Sequence, residues 1–411
     1  MGRKMAEVMR VMILTPDLGY GGAEKSVAAV SRILAERHEV HVVFFNLDGD
    51  CPYFIGGTVH SLDIRAGRNV WQKGIHFWKR VRKVRALKRK LKIDVSISFL
   101  EGADYVNLLS REKEKVILSI RGSKKFDHNI RGISGWIRKR LMIPWLYNRA
   151  DACTAVTEGI RNELRREFRI RDTMPFMVIP NFCDLPEIEQ RCTEPLPESA
   201  QQFMHTGPTV ITAGRIAYEK GYDLFLPVFA RLRQHIPDVR WIIVGNGPFE
   251  RELKSLIQNH NLTYTDTTVP DYGATIWFTG FQSNPFKWVS RSTIFLLPSR
   301  TEGFPNALLE AMACGVPVVA ANCPYGPEEI LGEPASEKEF RQYGVLLPQP
   351  PSDPHNLNIW VSVLTRLLGD RLLQQELSKQ ARLRAQQYSP AAVAGKWYGL
   401  LEMIHEKNSD H

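Results

Sequence analysis

Residues 292–320 read STIFLLPSRTEGFPNALLEAMACGVPVVA. Ile294 to Leu297 is an apolar run of strand length that stops at Pro298, and Val316 to Ala320 is another. Between them Pro305 suits the first turn of a helix and Gly315 suits its stop, so the spacing predicts a helix over 305–314. Leu308, Leu309 and Met312 would form its packing face. Strand, helix and strand in so short a stretch make the repeating unit of a parallel sheet covered on both faces. Two carboxylates punctuate it, Glu302 just before the helix and Glu310 inside it. Taken alone they are either two surface glutamates or two ligand contacts on either side of a helix N-terminus, the end that favours anions.

The same alternation extends outward. Thr209 to Ala213 reads as a strand, Tyr222 to His235 as a helix, and Trp241 to Val244 as a strand ending at Gly245-Asn246-Gly247-Pro248. Ile276 to Phe278 is one strand more. A second, independent series opens the chain: Val11 to Leu14 is a short buried strand, 16–22 a loop, and 23–37 carries apolar residues at 27, 30, 33 and 34, which is helical spacing. Glu39 to Phe45, Asp94 to Phe99 and Val116 to Ile120 follow as strands. Segment 183–208 has little pattern and holds Pro186, Pro195, Pro197 and Pro208, which marks an interdomain connection with its boundary near Asn181. The expected class is α/β, with two doubly wound parallel-sheet domains facing a cleft.

Bulk properties agree. At 411 residues the chain is long for one core and suits two domains of roughly 150–200 residues. Apolar residues make up 44% and charged residues 24%, a globular balance. The longest apolar runs are strand-sized, short of the roughly 18 residues a membrane span needs. Arg3 and Lys4 precede an apolar run that ends at Pro16, which reads as a buried strand and not as a signal peptide. Six scattered cysteines (51, 153, 183, 192, 314, 323) form neither a CxxC pair nor a zinc spacing, so a reducing cytosol is expected. The net charge of +10 favours anionic partners without choosing among phosphates, nucleic acid and an acidic membrane face.

Four motifs sharpen this. Gly19-Tyr-Gly-Gly22-Ala-Glu24 lies between the first strand and its helix, where glycines admit a ligand to the backbone. A dinucleotide fingerprint needs a third glycine where Glu24 stands, which counts against NAD and leaves a tight turn or a phosphate or sugar cradle. Asp48-Gly-Asp50 has the spacing of a metal-binding DxD, but in a loop after the second strand it reads better as solvating acid. In Gly214-Arg-Ile-Ala-Tyr-Glu-Lys220-Gly221, Arg215 and Lys220 either close on one diphosphate, the Arg as a fork and the Lys as a point charge, or form a solvated pair. Residues 71–92 hold ten Lys/Arg and no acid, with Trp71, Ile75, Trp78, Val81, Val84, Leu87 and Leu91 at helical spacing and Trp78 expected inside. With the basic, aromatic stretch Trp136 to Trp145, this is either a core helix with a charged face or a surface for anionic lipid. No nucleic-acid module is recognisable.

In order along the chain, GGAE (21–24), IPN (179–181), GRIAYEKG (214–221), VGNGP (244–248), FTGF (278–281) and SRTEGFPNALLEAMACGVPVVA (299–320) resemble the family 4 retaining glycosyltransferases of the GT-B fold. CPYGPEEIL (323–331) and YGVLLP (343–348) are similar to the branch that builds bacterial surface polysaccharides. The resemblance implies a Rossmann-like acceptor-side domain over 1–182, a Rossmann-like donor domain over 183–390, and a C-terminal helix in 391–411 packing back on the first. It implies that Arg215 and Lys220 bind the donor diphosphate and stabilise its departure, and that Glu302 holds the donor sugar hydroxyls. Glu310 would accept hydrogen bonds from the ribose diol. Gly214, Gly303, Phe304, Pro305, Asn306, Ala307 and Leu308 would line the donor, Gly21 and Gly22 would close the site from the first domain, and backbone near Phe281 would read the base. Eight residues, if wholly helical, span about 12 Å, comparable with the reach from a sugar across a diphosphate to a ribose.

Further implications are a UDP-linked hexose or N-acetylhexosamine donor, retention by same-face attack, and no metal or cofactor, with electrostatic stabilisation of the leaving diphosphate doing most of the work. One departure stands out. Where many relatives carry a histidine after the fourth strand of the first domain, this chain has Ser119-Ile-Arg-Gly-Ser123, which puts Arg121 there. An arginine cannot serve as a base near neutral pH, so Arg121 is expected to bind a phosphate of the acceptor or the donor. His128, seven residues on, receives no role. The expected partners are a nucleotide diphosphate sugar, a glycan acceptor linked to polyprenyl diphosphate and an anionic membrane surface, with no nucleic acid. The expected place is cytoplasmic, peripheral on the inner face of the cytoplasmic membrane. A non-catalytic GT-B carbohydrate-binding scaffold and a GT-B nucleotide-sugar epimerase are the alternatives, and the intact carboxylates and cations weigh against both.

Overall fold

The computed structural model describes residues 7–17, 19, 21–47, 53–127, 132–335, 337, 339–350 and 353–406. Asp48, Asp50 and His128 lie outside them. The chain divides into two compact units, Met1–Asn181 with Pro390–His411, and Phe182–Ser389.

The first unit is a seven-stranded sheet of β1 (Arg10–Thr15), β2 (Glu39–Phe44), β3 (Thr58–Ser61), β4 (Val95–Phe99), β5 (Lys115–Ile120), β6 (Ala152–Ala155) and β7 (Phe176–Val178). The order is β3-β2-β1-β4-β5-β6-β7, and every pairing is parallel. The order reverses between β1 and β4. Right-handed crossovers therefore put the Gly22–Ala35 helix on one face and the Val70–Leu91, Glu101–Leu109 and Ile143–Tyr147 helices on the other. The Pro390–Glu406 helix packs on Gly22–Ala35, where Tyr398 Oη donates to the Ile33 carbonyl at 2.6 Å.

The second unit has eight strands: β8 (Thr209–Ala213), β9 (Arg240–Val244), β10 (Tyr264–Thr265), β11 (Ile276–Gly280), β12 (Ile294–Leu297), β13 (Val318–Ala321), β14 (Phe340–Arg341) and β15 (Gly344–Leu347). Their order is β10-β11-β9-β8-β12-β13-β15-β14, parallel except for the β14–β15 edge pair. Here the reversal falls between β8 and β12. Trp241, Phe225, Phe229 and Trp360 fill the core on the face beneath the Tyr222–His235 helix.

Two local expectations need correction. The helix after β12 spans Asn306–Ala313, because Pro305 is extended (ψ 99°) and caps it from outside, its carbonyl receiving Leu308 N at 3.1 Å. Only the latter part of the Glu302-to-Glu310 separation is thus helical. In the 71–92 stretch Trp78 is 55% exposed: Phe77, Val81, Val84 and Leu91 face the core, and so does Lys88, which meets Glu114 at 2.7 Å. A buried ion pair takes a place on the inner face, and the apolar residues of the first helical turns stay outside.

Candidate active site

Open parallel sheets bind ligands beyond the carboxyl ends of their strands, where the strand order reverses. In the second unit the loops after β8 and β12 meet at that place, and the contact is forced by geometry. Gly221 has φ +65°, and a Cβ there would come 2.2 Å from the Pro298 carbonyl oxygen. Arg300 fastens the two loops. Its backbone N–H donates to the Glu219 carbonyl at 2.8 Å, and its guanidinium forks onto Asp223 at 2.7 and 2.5 Å while covering the Tyr218 ring. The short Tyr218–Lys220 turn is therefore held in place.

That turn delivers Lys220 to Glu302. Lys220 Nζ lies 2.8 Å from Glu302 Oε1, and the same oxygen accepts from Ser299 Oγ at 2.7 Å. Burial opposes the lysine charge, but the attraction of Glu302 and its hydrogen bond outweigh it, with smaller help from Tyr222 and Glu219, and the ammonium pKa rises above 10.5. The loop after β13 completes the frame: Glu302 N donates to the Pro324 carbonyl at 2.9 Å and Tyr325 N to the Glu302 carbonyl at 3.0 Å. Glu302 is thus fixed through backbone and side chain alike.

The floor beside this pair is backbone. Gly214 (φ +140°) follows β8, and its carbonyl sits where a Cβ on Gly245 (φ +134°) would approach to 2.0 Å. A Cβ on Gly247 would come 2.2 Å from the Ile216 carbonyl. Gly214 N bonds the Val244 carbonyl and Gly245 N the Gly280 carbonyl, both at 2.9 Å, so the ends of β8, β9 and β11 are laced together. Phe281 follows Gly280 and is half exposed.

The remaining residues singled out from sequence are distributed as follows. Glu310 lies half-buried on the Asn306–Ala313 helix. Phe304 is buried against the Tyr388 ring, while Gly303, Asn306 and Ala307 stay partly accessible. Leu308 turns its side chain into the core and its amide onto Pro305, so it contributes packing. Arg215 is 65% exposed and pairs with Glu219 at 2.6 Å, apart from the Lys220–Glu302 contact. In the first unit Gly21 caps the Gly22–Ala35 helix, and Arg121 follows β5, donating to Asn181 Oδ1. Sequence reading missed Ser299, Arg300 and Asp223. The signal was present in part, since Ser299 and Arg300 lie three and two residues before Glu302 and Asp223 follows Lys220 at a helix start.

The first unit also presents an unusual surface. Trp71, Trp78, Trp136 and Trp145 are 84, 55, 59 and 59% exposed. The helices that carry Trp71, Trp78 and Trp145 contact Glu101–Leu109 on one side of the sheet. Arg85 and Arg89 pair with Glu112, but among the described residues Lys73, Lys79 and Arg82 have no carboxylate partner. No described helix is long and apolar enough to cross a membrane.

Comparison with known proteins gives the following. Residues 198–384 match the family described as Glycosyl transferases group 1, and residues 20–187 match Glycosyltransferase Family 4. The chain is 25% identical over 94% of its length, and 98% of the relative's, to the N-acetylgalactosamine-N,N'-diacetylbacillosaminyl-diphospho-undecaprenol 4-alpha-N-acetylgalactosaminyltransferase of Campylobacter jejuni. Among solved structures it is similar to sucrose-phosphate synthase from Thermosynechococcus elongatus, with TM-score 0.76 and 19% identity over 97% of this chain and all of that one. It is also similar to Anabaena HepE in complex with UDP and glucose, with TM-score 0.71 and 18% identity over 96% of this chain and all of that one.

Proposed function

We infer, for a chain that belongs to the GT-B glycosyltransferases of the family 4 type, that it moves a hexose or N-acetylhexosamine from a UDP-linked donor to a lipid-linked glycan with retention of configuration. The observation that carries this reading is the Lys220–Glu302 pair at the strand-order reversal of the second unit, framed by backbone on one side and the Asn306–Ala313 helix on the other.

The donor would lie along this frame. Its diphosphate meets Lys220 and Arg215, and the exposed Arg215 can leave Glu219 at little cost. Glu302, held by Ser299 and Lys220, accepts from the sugar hydroxyls, and Glu310 accepts from the ribose diol. As the glycosidic carbon–oxygen bond breaks, negative charge grows on the leaving diphosphate. Lys220 stays cationic there because Glu302 holds its pKa up. The acceptor hydroxyl attacks on the same face, and a leaving phosphate oxygen takes its proton. Two side-chain cations supply the charge that a divalent metal would otherwise bring.

The acceptor is proposed to be carried on polyprenyl diphosphate at an anionic membrane surface. Support comes from the Campylobacter jejuni relative, whose name specifies a diphospho-undecaprenol-linked acceptor, and from the exposed tryptophans set among basic residues in the first unit. Each Lys or Arg near anionic lipid adds roughly 1 kcal/mol, screened within about 8 Å at physiological salt.

The test is transfer from a panel of UDP-hexoses and UDP-N-acetylhexosamines to a polyprenyl-diphosphate glycan in vesicles, with the product anomer read by NMR. An α-linked product and salt-sensitive sedimentation with anionic vesicles are expected. A protein that binds the donors and transfers none is a carbohydrate-binding scaffold. Full activity on a soluble acceptor with equal indifference to neutral and anionic vesicles removes the membrane part of the reading.

A further inference from the structure

Cys192 and Cys314 stand 122 positions apart in the chain, and the fold of the second unit brings their sulfurs to 3.5 Å, the distance of two thiols in contact. Both are free, Cys314 buried and Cys192 partly accessible. Cys192 ends the Leu185–Cys192 helix, the first of this unit, and Cys314 caps the Asn306–Ala313 helix that carries Glu310. The two helices pack against one another. Cys192 Sγ also lies 3.8 Å from the Phe286 carbonyl oxygen, and Arg291 donates to the Cys192 carbonyl at 3.0 Å. Arg382 reaches the same corner, where its Nε fills the space that a Cβ on Gly315 would need.

The two sulfurs are not equivalent. The hydrogen bond with Cys314 does most to lower the Cys192 pKa, Ser290 and the charges of Arg382 and Arg291 lower it further, and against the opposing effect of burial it comes down to about 7. The same hydrogen bond, then burial and the charges of Cys192 and Glu310, raise that of Cys314. Near neutral pH about half of Cys192 is thiolate, where an ordinary thiol is only a few per cent ionised. A partly accessible thiolate beside a second thiol is the arrangement that reacts with peroxides and resolves to a disulfide. Cys153 and Cys323 are instead kept as thiols by burial.

We propose that Cys192 and Cys314 are a peroxide-sensitive pair whose disulfide displaces the end of the Asn306–Ala313 helix and weakens donor binding. The Cys192 thiolate attacks one oxygen of hydrogen peroxide. The oxygen–oxygen bond breaks, the sulfur is oxidised to a sulfenic acid, and the departing hydroxide takes up the proton that Cys192 had released, giving water. The Cys314 thiol then attacks the Cys192 sulfur. The sulfur–oxygen bond breaks, and the hydroxyl leaves with the Cys314 proton as a second water. Two thiols and one peroxide thus give one disulfide and two waters. The sulfurs must close to about 2.05 Å, so an approach of roughly 1.5 Å remains. Cys314 N donates to the Glu310 carbonyl at 2.9 Å and Gly315 N to the Met312 carbonyl at 3.0 Å, so the pull is delivered to the turn that holds Glu310. The effect on the donor rests on the glycosyltransferase reading, and the chemistry of the thiols does not. In a reducing compartment such a bond is transient, as sensing requires.

The full chain is reduced, treated with an equimolar amount of hydrogen peroxide, alkylated and mapped by mass spectrometry, with UDP affinity measured by calorimetry before and after. A Cys192–Cys314 cross-link, lighter by two hydrogens and opened by dithiothreitol, is expected. In Cys314→Ser the sulfenic acid should instead be trapped on Cys192 by dimedone. UDP affinity should fall at least about tenfold on oxidation, the scale of losing a hydrogen bond to a charged group, and return on reduction. Cys192→Ser should keep wild-type affinity and not respond to peroxide. Cys192 left intact while another cysteine oxidises, or a link from Cys192 to Cys183, overturns the pair. Wild type carries that measurement, so it holds even if Cys314→Ser does not fold. A cross-link that forms with UDP affinity unchanged overturns the effect on the helix. A reduced chain that binds no UDP sinks the donor reading separately, and the mapping still decides on the thiols.

Discussion

Lys220 Nζ and Glu302 Oε1 lie 2.8 Å apart although 82 positions separate them in the chain. On the reading proposed above, a donor meets a formed ion pair, with the cation's proton secured and the carboxylate oriented. Such preorganisation is where electrostatic catalysis gains most, since nothing has to reorganise at the moment of reaction.

Lys220→Ala or Arg215→Ala should each lower turnover by at least about a hundredfold, the scale of losing one strong partner of the developing charge. Steady-state rates at saturating donor read this out. Chelation with EDTA should leave the wild-type rate nearly intact. A strict need for added manganese would instead turn attention to Asp48 and Asp50.

Glu310→Gln should weaken donor binding while leaving the fold intact, because a charge-assisted pair of hydrogen bonds becomes a neutral one. Calorimetry with UDP and thermal unfolding on the same sample decide. Unchanged affinity with collapsed folding would make Glu310 a structural residue.

Arg300 is given no donor contact in the proposed reading, yet it holds the turn that aims Lys220. Arg300→Ala should lower kcat about tenfold or more with a smaller change in donor KM, and Arg300→Lys should restore little, because lysine cannot reproduce the fork on Asp223. Equal recovery by lysine would show that only the charge matters.

Asp104 supplies a pH signature of the first unit. It is fully buried, and burial raises its pKa from 3.8 to about 7 against the lowering influence of Lys124 and the hydrogen bonds from Tyr147 and Ser98. The folded state therefore binds this proton more tightly than the unfolded chain does. The stabilisation is complete below about pH 4 and is lost as pH rises through 7, with a total of order 4 kcal/mol. Urea unfolding of wild type and Asp104→Asn from pH 4 to 8 should show wild type losing ground steadily. A constant difference between the two would mean the carboxyl is ionised throughout.

Much of this was legible in residues 292–320 and in the glycine-bounded loop 214–221, because strand length, helical spacing and turn glycines are local signals. Short edge strands such as β10 and β14, two residues each, carry no pattern of their own. Arg300 and Asp223 were invisible for another reason: 77 positions separate them, and only the adjacency of β8 and β12 brings them together. Trp78 was misplaced because spacing identifies a stripe but not which side of it faces inward. Lys88, buried on Glu114, occupies a place that composition assigns to solvent.

The floor formed by Gly214, Gly245 and Gly247 has a consequence for how this enzyme can change. Any side chain at Gly245 or Gly247 collides with a carbonyl oxygen at 2.0 or 2.2 Å, so mutation cannot sample new contacts there. Substitution is open instead at exposed neighbours of the floor such as Phe281. On the donor reading proposed above, a floor that tolerates no side chain, with a rim that does, lets one architecture change its sugar without rebuilding its chemistry.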